Sequence, residues 1–352
     1  MSEKIYRILV VDDSLVFCRF LSEAIPKLNS RYQVIGYAMN TRQAMQAIER
    51  EKPDVITMDI EMPQENGLDF LKRLLPVHPI PVILISSVNL NVLDALSCGA
   101  VDFLRKPDMT RQGGKNSFLQ LLNAKLLIAS QAHVRCPASA ASGPSANHPA
   151  ALPSRYLPAA GEHTLIAIGA STGGTEATLE VLRQLPGDLP GIVITQHMPE
   201  GFAAMYADRL NRLCKMQVKE AKNGDRVRPG LALIAPGNKQ MRVVRVGQTF
   251  TVSCFDGQKV NGHRPSVDVL FDSVASASGK DSIGVILTGM GTDGAKGLLK
   301  MRQSGAYTIG QDRDSCVVYG MPKAAYDIGA VNIQASCSNI PRVLLSCLKK
   351  RQ

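Results

Sequence analysis

No apolar run in this 352-residue chain approaches the ~18 residues that a membrane-spanning helix needs. Residues 1–6 are polar and lack the apolar stretch of a secretory signal, so a cytoplasmic protein without membrane insertion is expected. Closely spaced cysteines are missing too. The eight that occur are scattered with no Cys-x-x-Cys pair, which leaves neither a zinc site nor a disulfide framework the spacing it requires. Reduced, mostly buried thiols are the expectation. The glycine-rich stretch 169–174 lacks both the Gly-x-Gly-x-x-Gly spacing and the lysine of nucleotide-binding loops. Strands and glycine turns fill the C-terminal half where a helix-turn-helix module would have to sit, and no nucleic-acid partner is expected.

What is present is an ordinary globular composition, 45% hydrophobic and 20% charged, long enough for two domains. The net charge of +10 is uneven. Residues 1–125 carry 15 Lys and Arg against 14 Asp and Glu, whereas residues 126–352 carry 25 against 16. A basic C-terminal part attracts polyanions, among which an acidic protein substrate is one option and a merely solvated face another.

Apolar runs at residues 5–11, 34–38, 54–58, 82–86 and 101–104 read as buried parallel strands with amphipathic helices between them, the last helix at about 115–129. Five strands alternating with five helices predict a doubly wound, flavodoxin-like α/β domain over 1–130. Residues 131–163, with Pro, Ala, Ser and Gly in place of charge and bulk, read as a flexible linker. A second, mainly parallel α/β domain follows over 164–350, with strands at 165–169 and 191–196 and helices at 175–184 and 201–213. Short strands at 231–235, 241–246 and 249–254 suggest a β-hairpin insertion.

In the first domain Asp12 and Asp13 close the first strand, Asp59 the third, Ser86 the fourth, and Lys106 follows the fifth. In a parallel sheet these positions share one edge. Carboxylates crowded together repel unless a hard cation lies among them, and Mg²⁺ prefers such oxygen donors. Asp59 is then placed to attack a phosphoryl group, with Lys106 pairing with a phosphoryl oxygen and the Ser86 hydroxyl bonding the acyl phosphate. A lone aspartate at a strand end can also serve as a helix cap; the full set removes that reading. With Met62-Pro63 and Lys106-Pro107, residues 5–129 resemble the receiver domains of two-component signalling. On that pattern Phe103 is the aromatic that turns inward on phosphorylation, although a plain core phenylalanine reads equally well. The main-chain carbonyl of Glu61 joins Asp12, Asp13 and Asp59 around the metal. One departure stands out: the segment 88–93 after Ser87 is short and has no glycine-rich stretch.

The second domain opens on Gly169-Ala170-Ser171-Thr172-Gly173-Gly174 after an apolar strand. That pattern suits phosphate binding or an exposed nucleophile on a sharp turn, but alone it reads more readily as a helix N-cap by Ser171 or Thr172. Support comes from Gln196-His197-Met198-Pro199 and from Met290-Gly291-Thr292-Asp293-Gly294-Ala295, both at later strand ends. A hydroxyl needs a base and the base an orienting carboxylate, which points to Ser171, His197 and Asp293. His263, in a loop before a helix, is the weaker candidate for the base. The order Ser, His, Asp is not that of α/β-hydrolases.

These motifs, with Arg264-Pro265-Ser266-Val267-Asp268 and Tyr319-Gly320-Met321-Pro322, resemble the chemotaxis response-regulator protein-glutamate methylesterases over nearly the whole chain. The resemblance implies phosphorylation-activated hydrolysis of glutamate methyl esters on methyl-accepting chemotaxis receptors, with glutamine deamidation at the same site. It further implies the Met290 main-chain amide as oxyanion donor, a chemotaxis histidine kinase as phosphodonor, and a receiver that acts as a lid. Mg²⁺ serves the receiver, the esterase chemistry uses no cofactor, and a monomer is expected.

Overall fold

Short runs in which every residue is buried mark strands covered on both faces, and they recur along the chain. The computed structural model describes residues 4–62, 65–87, 92–107, 114–134 and 164–349, and it divides into two units, Met1–His148 and Pro149–Gln352. Most of the expected linker, from residue 135 on, lies outside the described residues, as do Pro63 and residues 88–91 of the segment after Ser87.

In the first unit β1 (Tyr6–Val11), β2 (Tyr32–Ala38), β3 (Val55–Met58), β4 (Val82–Ser86) and β5 (Asp102–Arg105) alternate with α1 (Leu15–Leu28), α2 (Thr41–Glu51), α3 (Gly67–Leu74), α4 (Val92–Ser97) and α5 (Gly114–Ala129). The strands pair in parallel in the order β2-β1-β3-β4-β5, the flavodoxin-like arrangement that the alternation predicts. Ser14, Asn40 and Asn66 cap the first three helices by accepting from their first-turn amides. Ile8, Val10, Ile83 and Ile85 of the sheet pack with Leu21, Ile25, Phe118 and Leu122 of α1 and α5.

The second unit runs β6 (Leu165–Ala170), α6 (Gly174–Leu182), β7 (Ile192–Gln196), α7 (Phe202–Leu213), β8 (Gln217–Glu220), β9 (Arg226–Val227), β10 (Leu231–Ile234), β11 (Gln240–Val246), β12 (Thr249–Phe255) and α8 (Val267–Ala277). It continues β13 (Ser282–Ile286), α9 (Ala295–Gln303), β14 (Tyr307–Gln311), α10 (Met321–Asp327), β15 (Ile333–Ala335) and α11 (Ile340–Lys349). Seven strands form a wholly parallel sheet in the order β15-β14-β13-β6-β7-β10-β8. The hairpin insertion exists as β11 and β12, but two details differ from expectation. The run at 231–235 joins the parallel sheet between β7 and β8, because all four residues of β10 are buried and need cover on both sides. The two-residue β9 extends the hairpin to a three-stranded antiparallel sheet.

Helix α8 ties the hairpin to the sheet. Leu270, Phe271 and Val274 share one core with Ala167 and Val193 of the sheet and Met241, Val243 and Val252 of the hairpin. The approach to β6 is close: a Cβ at Gly169 would lie 2.2 Å from Val267 Cγ1 and 3.1 Å from Phe271 Cζ. Val267 is β-branched and cannot swing clear, so the glycine sets how near the head of α8 comes to the end of β6. Gly169→Ala is expected to destabilise the second unit by about 1–3 kcal/mol through overpacking. Urea unfolding followed on that unit checks this, and an unchanged midpoint would show that α8 can retreat freely.

The eight-cysteine expectation is met where it is described: Cys18, Cys98, Cys214, Cys254, Cys316, Cys337 and Cys347 are free, and Cys18, Cys316, Cys337 and Cys347 are buried. No helix among the described residues is long and apolar enough to cross a membrane.

Candidate functional site

Because all strands of the larger sheet run the same way, the residues just past their C-terminal ends collect on one edge, and the winding reverses between β6 and β13. Ser171 follows β6, His197 follows β7, and Asp293 lies in the loop after β13. The structure brings the three together. His197 Nδ1 lies 3.1 Å from Ser171 Oγ, and Nε2 lies 2.8 Å from Asp293 Oδ2. With Nε2 protonated and donating to the carboxylate, Nδ1 is left as the acceptor facing the serine hydroxyl. In the serine-protease arrangement Nε2 faces the serine instead.

Local backbone chemistry fixes each member. The Ser171 amide donates to the Thr288 carbonyl (3.0 Å), and Gln196 Nε2 donates to the Ser171 carbonyl (2.9 Å). Gly173, at φ +75°, turns the chain into α6. Gly289 has no room for a side chain, since a Cβ would stand 2.6 Å from Ser171 Cβ. The Thr288 hydroxyl accepts from the Val318 amide at 3.0 Å, bracing the loop that carries Met290. The Met290 amide itself has no hydrogen-bond acceptor among the described residues.

Asp293 is 2% exposed and collects donors on both oxygens. Oδ2 accepts from His197 Nε2 and from the Val267 amide at 2.7 Å. Oδ1 accepts from Asn261 Nδ2 and Ser266 Oγ, both at 2.7 Å, and from the Asp268 amide at 3.3 Å. The carboxylate thus sits on the N-terminus of α8, where exposed amides and the helix dipole favour an anion. Burial acts to raise its pKa, but the hydrogen bond and charge of His197 and the hydrogen bonds of Asn261 and Ser266 prevail. The group titrates well below the usual carboxylate range.

Sequence reasoning left Asn261, Ser266 and Asp268 without individual roles. Their signal was present in the Asn261-Gly262 dipeptide, a hairpin-turn signature, and in Ser266 as a helix cap. Ser266 does both jobs, donating to Asp293 while accepting from Val269 at 3.5 Å. His263 is also nearer than its loop position suggested. Its ring stacks on His197 with centroids 3.7 Å apart and planes 7° from parallel, while the contact to Ser171 belongs to His197.

In the first unit Asp12, Asp13 and Asp59 each bring a carboxylate oxygen within 4.8 Å of the others. Asp12 and Asp59 are buried, and Asp13 is exposed. Lys106 Nζ reaches both buried carboxylates, at 2.8 Å from Asp12 Oδ2 and 2.6 Å from Asp59 Oδ2. Burial raises the Asp12 pKa, against the hydrogen bond and charge of Lys106. Burial acts to lower that of Lys106, but its hydrogen bonds to Asp12 and Asp59 prevail and raise it. Ser86 is buried at the end of β4, with its carbonyl accepting from the Lys106 amide at 2.9 Å. Phe103 is buried as well, under Lys125, which pairs with Asp102 at 2.7 Å. Glu61 stands beside the cluster, its amide donating to Asp59 Oδ1 at 3.1 Å. An all-oxygen set of this kind suits Mg²⁺.

A doubly wound acidic pocket joined in one chain to a serine, histidine and aspartate on a parallel sheet defines a response regulator with a hydrolase-like output unit. Comparison with known proteins narrows the class. Residues 8–112 match the response regulator receiver domain and residues 166–344 match CheB methylesterase. A protein-glutamate methylesterase/protein-glutamine glutaminase of Syntrophomonas wolfei is 47% identical over 97% of both chains. One of Salmonella typhimurium is 42% identical over 98% of both. The crystal structure of the CheB methylesterase catalytic domain of Thermotoga maritima, 36% identical, superposes with a TM-score of 0.51 over 52% of this chain and 98% of that one. The chain belongs to the CheB methylesterase family.

A carboxyl whose folded pKa is depressed adds stability above its unfolded value, about 3.9 for aspartate, and that contribution is lost as pH falls through the folded value. Asp293 is such a group. The stability of the second unit is expected to fall below about pH 4 more steeply in the wild type than in Asp293→Asn. Unfolding free energies measured between about pH 2 and 6 test this, and equal slopes would remove Asp293 as the source.

Proposed function

We propose that this chain hydrolyses glutamate methyl esters on methyl-accepting chemotaxis receptors, releasing methanol, and that phosphorylation of its receiver switches the activity on. Ser171, hydrogen-bonded through His197 to Asp293 at the edge of a parallel sheet, is the observation that carries the reading. On this reading the receiver spans 1–130, a linker 131–163 and the catalytic unit 164–350. The protein works in the cytoplasm as a monomer, with a chemotaxis histidine kinase as phosphodonor.

Ser171 Oγ attacks the ester carbonyl carbon while its proton passes to His197 Nδ1. Asp293, ionised and held on α8, keeps Nε2 protonated and stabilises the imidazolium. The negative charge that develops on the carbonyl oxygen meets the Met290 amide. As the tetrahedral species collapses, the departing methoxide takes the proton from Nδ1 and leaves as methanol. Water then attacks the acyl-serine with His197 again as base, freeing the glutamate carboxylate and the Ser171 hydroxyl. An amide forms the same tetrahedral species, which accounts for glutamine deamidation at one site.

In the receiver Asp59 is the phosphoryl acceptor. Asp12, Asp13, Asp59 and the Glu61 main-chain carbonyl would hold Mg²⁺, which would neutralise phosphate charge there. Lys106 pairs with a phosphoryl oxygen, the Ser86 hydroxyl bonds the acyl phosphate, and Phe103 is the aromatic that turns inward on phosphorylation. The excess of positive charge after residue 125 suits the acidic helices of a receptor substrate.

Methanol release from methylated receptor signalling domains, with and without acetyl phosphate and Mg²⁺, is the direct test. Ser171→Ala is expected to lower the rate by several powers of ten, and Asp59→Ala to leave basal release intact but abolish stimulation by the phosphodonor. A wild-type protein that binds receptors but releases no methanol under phosphorylating conditions would be an adaptor, not an esterase.

A further inference from the structure

The mechanism above gives His263 nothing to do, although its ring lies flat against that of the base. The turn that presents it is well defined. The Val260 amide donates to the His263 carbonyl at 3.0 Å and the His263 amide to the Val260 carbonyl at 2.9 Å. Asn261 and Gly262 between them both have positive φ, 52° and 82°, as a type I′ turn requires. Asn261 tolerates that conformation at modest cost and spends its side chain on the site, donating from Nδ2 to Asp293 Oδ1 and to Asp268 Oδ2, each at 2.7 Å. Buried Gln240 grips the other end: its Nε2 donates to the His263 carbonyl at 3.2 Å, and its Oε1 accepts from the Ser266 amide at 2.8 Å. The single turn 260–263 therefore touches two members of the triad, the carboxylate through Asn261 and the imidazole through His263.

The stacking geometry is informative. Centroids 3.7 Å apart with planes 7° from parallel make a face-to-face pair. The turn at 260–263 holds the two rings in this stack. The pairing improves when one ring becomes a cation over the other's π face, and His197 becomes a cation when Ser171 attacks. An interaction stronger in the transition state than in the ground state accelerates the chemical step. We propose that turn 260–263 is a positioning element for the base, in which the His263 ring fixes the plane of His197 and stabilises the imidazolium. The proposal rests on the assignment of Ser171, His197 and Asp293 made above.

The test measures kcat and KM for methanol release by the full chain with acetyl phosphate and Mg²⁺, alongside thermal melts, for wild type, Ser171→Ala, His263→Ala, His263→Leu and His263→Phe. His263→Ala and His263→Leu are expected to lose roughly 10- to 100-fold in kcat, the scale of a misplaced catalytic group, with KM within about threefold of wild type. His263→Phe, which restores a flat π face but no ring nitrogen, is expected to recover to within about fivefold. Should the alanine variant melt early, the phenylalanine and leucine variants decide, since both fill the space and only one offers a face. Loss of activity in Ser171→Ala together with wild-type kcat in His263→Ala, or equal kcat in the phenylalanine and leucine variants, overturns the proposal alone. A wild-type rate in Ser171→Ala overturns the assignment of the nucleophile, and the proposal with it.

Discussion

The catalytic unit depends on keeping one buried carboxylate ionised. Removing the Asp293 charge from water is expensive unless donors replace the lost hydration, and five surround it, from His197, Asn261, Ser266, Val267 and Asp268. Two of these are main-chain amides at the head of α8, so the placement of the helix and the ionisation of the aspartate are one problem. Gly169 on β6 and Gly294 beside Asp293 both face Val267, and a Cβ at either would strike its Cγ1. Gly169 therefore lets the helix head descend to the strand end, where its amides meet the charge, and Gly294 does so while also turning the chain into α9 at φ +88°.

The receiver pocket solves the opposite problem. There too buried carboxylates stand close together, but Lys106 is shared between Asp12 and Asp59, and Asp12 stays shifted upward because burial outweighs what the lysine returns. The Asp293 site is saturated with fixed donors, whereas the Asp12, Asp13 and Asp59 site is left electrostatically short. A saturated carboxylate orients a neighbour and does not change. An undersaturated cluster responds to whatever cation or phosphoryl group arrives, which is the property a switch needs.

How much of this was legible in the sequence follows from which interactions leave a local trace. Buried parallel strands do, as continuous apolar runs, and β3, β4, β6 and β7, with the buried last four residues of β1, were readable from them. Chemistry at strand ends does as well, so Ser171, His197, Asp293, Asp59 and Lys106 could be placed on their edges before any coordinates. Edge strands do not: β8 has one buried residue of four, and β9 has two residues in all, so neither shows a period. The run at 231–235 looked like part of the hairpin because it precedes it in the chain, and only pairing with β7 and β8 reveals that it belongs to the sheet. The contacts of Asn261 and His263 were hidden for a related reason. A turn residue announces its backbone conformation in sequence, but the partner its side chain meets lies across the fold.

The unusual orientation of the imidazole also follows from topology. Histidine stands at the end of β7, serine at the end of the adjacent β6, and aspartate beyond β13 on the far side of β6. Neighbouring strands are about 4.8 Å apart, and the His197 amide already bonds the Ala170 carbonyl across that gap at 3.2 Å. The serine next door therefore falls within reach of the ring nitrogen nearest the backbone, Nδ1, and the carboxylate one strand further on is met by the distal nitrogen, Nε2. A histidine reaching over its serine toward an aspartate in the next loop must present its nitrogens in that order. The arrangement that sets this site apart from the serine-protease one is thus dictated by strand order, and it needs the carboxylate anchored high on α8 for Nε2 to find it.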